Sequence, residues 1–200
     1  MARVDPARGR LRIIGGSLRG SKLAVPDAAE LRPTPDRVRE TLFNWLSPVI
    51  AGARCLDLYA GTGALGIEAL SRGAASVDFV ETDAELASLL RSNLQRLNQV
   101  ATVHQMDAMA FLRVPREPFD IAFLDPPFAA DAWTAASRLL EAGHLLQGNA
   151  FVYVECPARQ TPELPANWMI HRESRAGAVD FALYRRQQPS VKLAQMPLAE

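Results

Sequence analysis

One loop constrains this chain more than any other feature. Gly61-Thr62-Gly63-Ala64-Leu65-Gly66 follows an apolar run at residues 53–58 and opens a helical stretch over about 62–72 that stops at Gly73. A glycine-rich turn between a strand and a helix lets backbone N–H groups come close to a ligand at the helix N-terminus. The G-x-G-x-x-G pattern also occurs in ordinary tight turns. The flanking strand and helix favour a nucleoside-type cofactor over a purely structural turn.

The pattern after this loop alternates between strand and helix. Residues 76–80 read as a second strand. Asp83 then caps a helix whose Leu86, Leu89, Leu90, Leu94 and Leu97 form an apolar stripe. Residues 100–105, 119–124 and 150–155 read as further strands, with a helix over 132–141 between the last two. Residues 168–174 and 179–185 alternate with period two around Ala176-Gly177, which predicts an antiparallel hairpin. The expected fold class is therefore α/β, a doubly wound Rossmann-like sheet of seven strands whose last hairpin is antiparallel. Ahead of it, Leu11 to Val25 is broken by glycines in the manner of a small hairpin. Thr34-Pro35-Asp36 marks the start of a helix with Val38, Leu42, Trp45 and Leu46 on one face. The domain division that follows is a basic arm, hairpin and helix at 1–48, the cofactor domain at 49–186 and a tail at 187–200.

With 200 residues, 48% of them apolar, one sizeable core is expected. No apolar run reaches the roughly 18 residues of a membrane span, and no secretory signal is apparent, so cytoplasmic residence is the default expectation. Cys55 and Cys156 lie in apolar runs without C-x-x-C spacing, and His104, His144 and His171 are scattered. Reduced core cysteines and no metal site are expected. The formal net charge is zero, but residues 1–22 carry Arg3, Arg8, Arg10, Arg12, Arg19 and Lys22 against the one acid Asp5. Such a segment suits phosphate contacts, or is simply a solvated terminus.

Glu81 stands at the end of the second strand, 24 residues after Asp57, where an acid can accept hydrogen bonds from both ribose hydroxyls and disfavours a 2′-phosphate. Asp57 can hold the loop or attract a ligand's ammonium group. Tyr59, Ala60, Gly61, Thr62 and Gly63 complete the loop side of the cofactor site. Asp107, with Ala108 beside it, is placed to accept from an adenine amino group or to cap the helix through Met109–Leu112. Asp125-Pro126-Pro127-Phe128, at the mouth of the fourth strand, discriminates most. An exocyclic amine is a poor nucleophile because its lone pair is delocalised into the ring. Holding its N–H groups on the Asp125 carboxylate and the Pro126 carbonyl lets the nitrogen pyramidalise toward a methyl donor. Pro127 stiffens the loop, and Phe128 offers a ring on which an extruded base can stack.

Three runs taken together resemble a known family: Leu31 to Leu46, which reads LRPTPDRVRETLFNWL, then Ala60 to Leu70, which reads AGTGALGIEAL, and Asp125-Pro126-Pro127-Phe128. They are similar to the RsmD family, bacterial methyltransferases acting on the N2 amine of a guanine in small-subunit ribosomal RNA. The resemblance extends from about Arg12 to Arg186. It implies a class I methyltransferase fold, S-adenosylmethionine as cofactor, and 16S ribosomal RNA in an assembled or partly assembled 30S subunit as substrate. In the helix that carries the first run, Arg37 and Arg39 are candidates for further phosphate contacts beside Arg8, Arg10, Arg12, Arg19 and Lys22, or pair with Glu40 or Asp36 instead, and a monomer is expected. Three rival readings share parts of the pattern. A nicotinamide oxidoreductase would use the glycine loop and Glu81 but leaves the D-P-P-F tetrad unexplained. A DNA methyltransferase acting on an adenine or cytosine amine would use the tetrad equally well. A non-catalytic RNA-binding factor would need none of these residues.

Overall fold

The computed structural model describes residues 10–25, 35–127 and 132–188. Phe128, Arg8 and the tail beyond residue 188 lie outside the described residues, and of Arg10 only the backbone is described. The chain opens with a short antiparallel pair, β1 (Arg10–Arg12) and β2 (Lys22–Ala24), in which Leu11 faces Leu23. Helix α1 (Asp36–Leu46) follows. It begins one residue later than its sequence suggests: Pro35 is itself the N-cap, with its carbonyl accepting from the amides of Val38 and Arg39. A proline gives up no hydrogen bond in that position.

The alternation then runs β3 (Arg54–Asp57), α2 (Ala64–Ser71), β4 (Ser76–Glu81), α3 (Ala84–Arg96), β5 (Thr102–Gln105), α4 (Ala108–Leu112), β6 (Phe119–Leu124), α5 (Trp133–Ala142) and β7 (Leu146–Pro157). β8 (Trp168–Ala176) and β9 (Val179–Arg186) close it. The seven strands lie in the order β5-β4-β3-β6-β7-β9-β8. β3 to β7 pair in parallel, and β9 runs antiparallel to β7 and β8. The expected sheet is thus present, final hairpin included. The chain leaves β3 toward β4 and β5, then returns to the other side of β3 for β6 and β7. The crevice at the carboxyl ends of β3 and β6 is therefore a topological switch point, where doubly wound sheets bind ligands.

Two buried clusters cover the faces of the sheet. Cys55, Phe79, Ile121, Phe123 and Tyr153 point to one face, under α1, α2 and α3. Leu56, Val80, Ala122, Leu124 and Val152 point to the other, under α4 and α5. The N-terminal hairpin has no core of its own, because Leu11, Ile13 and Leu23 join the first cluster. Both cysteines are free and buried, as expected. Two details of the reading differ. Val100 is 96% exposed and precedes β5, and on α3 the buried face is Ala87, Leu90, Asn93 and Leu94, leaving Leu86 and Leu89 at its margin.

Candidate functional site at the carboxyl edge of the sheet

The loop from β3 to α2 owes its shape to two glycines with positive φ, Gly61 at 52° and Gly63 at 81°. The Gly63 amide donates to the Ala60 carbonyl at 2.7 Å, and the Ala60 amide donates to the Val80 carbonyl at 2.9 Å, so the loop is tied to the end of β4. Gly66 serves packing instead. A Cβ there would lie 2.2 Å from Phe79 Cε1, so only a glycine lets α2 sit this close to the sheet. α2 consequently starts at Ala64, two residues later than the sequence suggests, with Gly63 as its N-cap.

Two carboxylates fix this loop. Asp57, only 3% exposed, accepts from the Gly66 amide at 2.9 Å. Of its two expected roles, holding the loop is the one in place. Burial pushes the Asp57 carboxyl up to about 7, the Gly66 donor partly offsets this, and the nearby Glu81 carboxylate adds to it. Glu81 accepts from the Gly61 amide at 2.7 Å through Oε2 and from the Asp83 amide at 2.8 Å through Oε1. Each oxygen keeps a further acceptor position, so the half-buried carboxylate can still receive hydroxyl donors from the crevice.

On the α4 side, Asp107 caps its helix by accepting from the Ala110 amide at 2.8 Å, and the residue is exposed. Beside it, the Tyr59 hydroxyl is enclosed and has no hydrogen-bond partner among the described residues. Burial, with Asp107 nearby, holds the Tyr59 phenol protonated well above its ordinary range. A buried polar atom without a partner is what a ligand with polar edges would satisfy. The donors and acceptors of the site, namely the Gly61–Gly63 backbone, Glu81, Asp107 and Tyr59, therefore fit a nucleoside. Ala60, Thr62, Gly63 and Ala108 are buried behind them.

Asp125 follows β6 directly, two residues beyond Phe123, whose register partner on β3 is Asp57. With strands about 4.8 Å apart, the ends of β4 and β6 stand about 10 Å from each other across the mouth of β3. Asp125, half-buried, thus follows β6 at the carboxyl edge, on the opposite side of β3 from Glu81. Pro126 is buried and Pro127 exposed.

Among the expected phosphate contacts, Arg12, Arg19, Lys22 and Arg37 are exposed. For Arg39 the pairing with Asp36 is the alternative in place, and the phosphate contact is corrected. Arg39 is 0% exposed, donates through Nη2 to the Arg12 carbonyl at 2.9 Å and to Asp36 at 2.7 Å, and stands 3.8 Å from Glu68. A guanidinium with no exposed surface is an internal fastener and cannot reach a phosphate. Its place in the helix carried the signal, since Leu42, Phe43 and Leu46 lie three, four and seven residues on. Nothing in the local sequence pattern singled out Glu155, a buried acid two residues before the end of β7. Like Glu81 on β4, it is an acid in the carboxyl-terminal part of an apolar strand.

The family described as Conserved hypothetical protein 95 matches residues 11–185. The chain is similar to the Ribosomal RNA small subunit methyltransferase D of Escherichia coli (strain K12), 49% identical over 181 residues, which span 90% of this chain and 91% of that protein. It is similar to the protein of the same name from Haemophilus influenzae, 44% identical over 184 residues, 90% of this chain and 95% of the relative. A solved structure of the Escherichia coli protein yhhF, described as a candidate methyltransferase, superposes with a TM-score of 0.84 at 46% identity, covering 90% of this chain and all of that one. An RNA methyltransferase from Salinibacter ruber in complex with S-adenosyl-L-homocysteine shares the fold, with a TM-score of 0.61 at 16% identity over 79% of this chain and 95% of that one.

Proposed function

This chain belongs to the Conserved hypothetical protein 95 family, the RsmD family, and from that premise we propose that it methylates the exocyclic N2 amine of one guanine in 16S ribosomal RNA. The observation that carries the reading is the position of Asp125: it follows directly on β6, the strand next to β3, at the same edge of the sheet as the glycine loop and Glu81 and on the other side of β3 from Glu81.

S-adenosylmethionine, when bound, supplies a methyl group activated by its sulfonium. The chain's own residues do the rest. Glu81 accepts from the ribose hydroxyls while its bonds to the Gly61 and Asp83 amides keep it from turning away. Asp107 and the Tyr59 hydroxyl meet the polar edge of the adenine. On the substrate side, the Asp125 carboxylate and the Pro126 carbonyl accept the two N–H groups of the target amine, turning its lone pair toward the donor. The nitrogen that gains the methyl group must lose a proton, and Asp125 is the acceptor already in contact with it. Phe128, following Pro127, stacks on the extruded base.

The exposed Arg12, Arg19, Lys22 and Arg37, with Arg8 and Arg10, hold the RNA by its phosphates, which suits a monomer acting in the cytoplasm on an assembled or partly assembled 30S particle. The test is methylation of 30S particles from a strain deleted for this gene, followed by nucleoside mass spectrometry. One new N2-methylguanosine is expected, and Asp125→Ala abolishes it while S-adenosylhomocysteine affinity stays within a few-fold. Full activity in Asp125→Ala, or a methyl group on another base, would refute the reading.

A further inference from the structure

A second carboxylate stands beside Asp125. The ladder between the parallel β6 and β7, whose strands stand about 4.8 Å apart, ends with Phe123 paired to Tyr153 and Leu124 to Val154, and Asp125 and Glu155 are the next residues on the two chains. Glu155 alternates onto the face that holds Tyr153 and Phe123, and it is 4% exposed. The Tyr153 hydroxyl donates to Glu155 Oε2 at 2.7 Å, and the Tyr153 ring is itself held between Phe123 and Phe181, each at 6.4 Å. Burial pushes the Tyr153 phenol far up, and the charges of both Glu155 and Asp125 add to the shift, which puts the two carboxylates around one phenol. The Glu155 backbone is fixed as well: its carbonyl accepts from Trp133 Nε1 at 2.8 Å. Trp133 opens α5, so Glu155 is tied to the start of that helix.

An oriented, buried carboxylate next to the amine-binding acid has a chemical consequence. A carboxylate offers about four acceptor positions, of which the Tyr153 hydroxyl takes one on Oε2 and a base edge would need one. We propose that Glu155 is a specificity-determining residue that accepts the ring N1–H of the target base beside the amine held by Asp125; this rests on the guanine reading above. Guanine carries two adjacent donors on that edge, N1–H and the N2 amine. Adenine and cytosine present a bare ring nitrogen beside theirs, whose lone pair would face the Glu155 carboxylate. Asp125 and Pro126 alone accept any exocyclic amine, and Glu155 narrows the choice to guanine. A site built around a hydrogen bond rejects a partner that lacks the donor, because the buried acceptor is left unpaired.

The test uses the full chain on reconstituted 30S particles carrying either guanine or 2-aminopurine at the methylated position. 2-Aminopurine keeps the amine but has a bare N1. The wild-type protein is expected to favour guanine by about 10–100-fold in kcat/KM. Glu155→Gln is expected to lose guanine activity by a similar factor and to narrow or reverse the preference, because its amide NH2 can donate to a bare N1. S-adenosylhomocysteine affinity should stay within a few-fold of wild type. Tyr153→Phe, which removes only the orienting hydroxyl, should lower guanine activity a few-fold and keep guanine preferred. An unchanged base preference in Glu155→Gln overturns the proposal whatever the total activity. A wild-type protein that uses both bases equally overturns it too, and needs no variant to fold. A wild-type protein that makes no N2-methylguanosine instead sinks the guanine reading itself.

Discussion

Replacing Glu68 should detach the N-terminal hairpin from the sheet domain, and the structure sets the size of the effect. Glu68, on α2, is 0% exposed and accepts from the Ile14 and Gly15 amides at 2.8 Å each. The same carboxylate receives Arg72 Nε at 2.8 Å and faces Arg39 Nη1 at 3.8 Å. Arg39 already has Nε and Nη1 without hydrogen-bond partners among the described residues, so Glu68 is its main compensation on that side. Glu68→Ala strands two backbone donors and leaves a buried guanidinium facing a cavity. Removing one member of a buried pair costs about 3–5 kcal/mol, and each orphaned buried donor about 1–3 kcal/mol. These costs overlap because one side chain serves every partner, so the expected loss is about 3–5 kcal/mol. Glu68→Gln keeps one acceptor and should lose roughly half as much. Urea unfolding of the full chain with linear extrapolation measures both. A loss below about 1 kcal/mol for Glu68→Ala would show that the hairpin is held by Leu11, Ile13 and Leu23 alone, and the fastening argument would fail.

Gly66→Val forces a branched side chain into the place where even a Cβ lies 2.2 Å from Phe79 Cε1. It should lower stability by about 1–3 kcal/mol or more and weaken S-adenosylhomocysteine binding, read by thermal denaturation and titration calorimetry. Asp57 has a folded-state carboxyl pushed up to about 7 from an ordinary 3.8, so the folded protein holds this proton more tightly than the unfolded chain. Its contribution is full below the unfolded value and is lost as pH rises through about 7. Asp57→Asn, which cannot titrate, should therefore gain stability relative to wild type between pH 5 and pH 8; parallel urea midpoints across that range would contradict the assignment. Replacing the exposed Arg12, Arg19 and Lys22 with glutamine should weaken 30S binding and reduce the salt slope of log K by about 2, whereas an unchanged slope would make the hairpin a bystander.

The sequence by itself determined the elements and the chemistry written into single loops. The glycine turn, the acid ending β4 and the Asp125 tetrad are local signals, because a backbone that must turn sharply or a strand that must end leaves its mark within a few residues. The capping role of Asp83 was legible for the same reason, and its carboxylate accepts from the Glu85 and Leu86 amides. Tertiary structure alone decided which charged groups went inside. The bonds of Glu68 to Ile14 and Gly15 span 54 and 53 residues, and no local pattern specifies a partner at that distance. Helical period reports that a position faces inward. It does not say that an arginine there will be withdrawn from solvent to bond the Arg12 carbonyl and face Glu68, so Arg39 read equally as a phosphate contact or as a partner of Asp36 or Glu40. The pairing of β6 with β7 likewise brings Glu155 beside Asp125 across 30 residues of chain. Strand order is settled by how whole faces bury together, which is a property of the assembled sheet and not of any one segment.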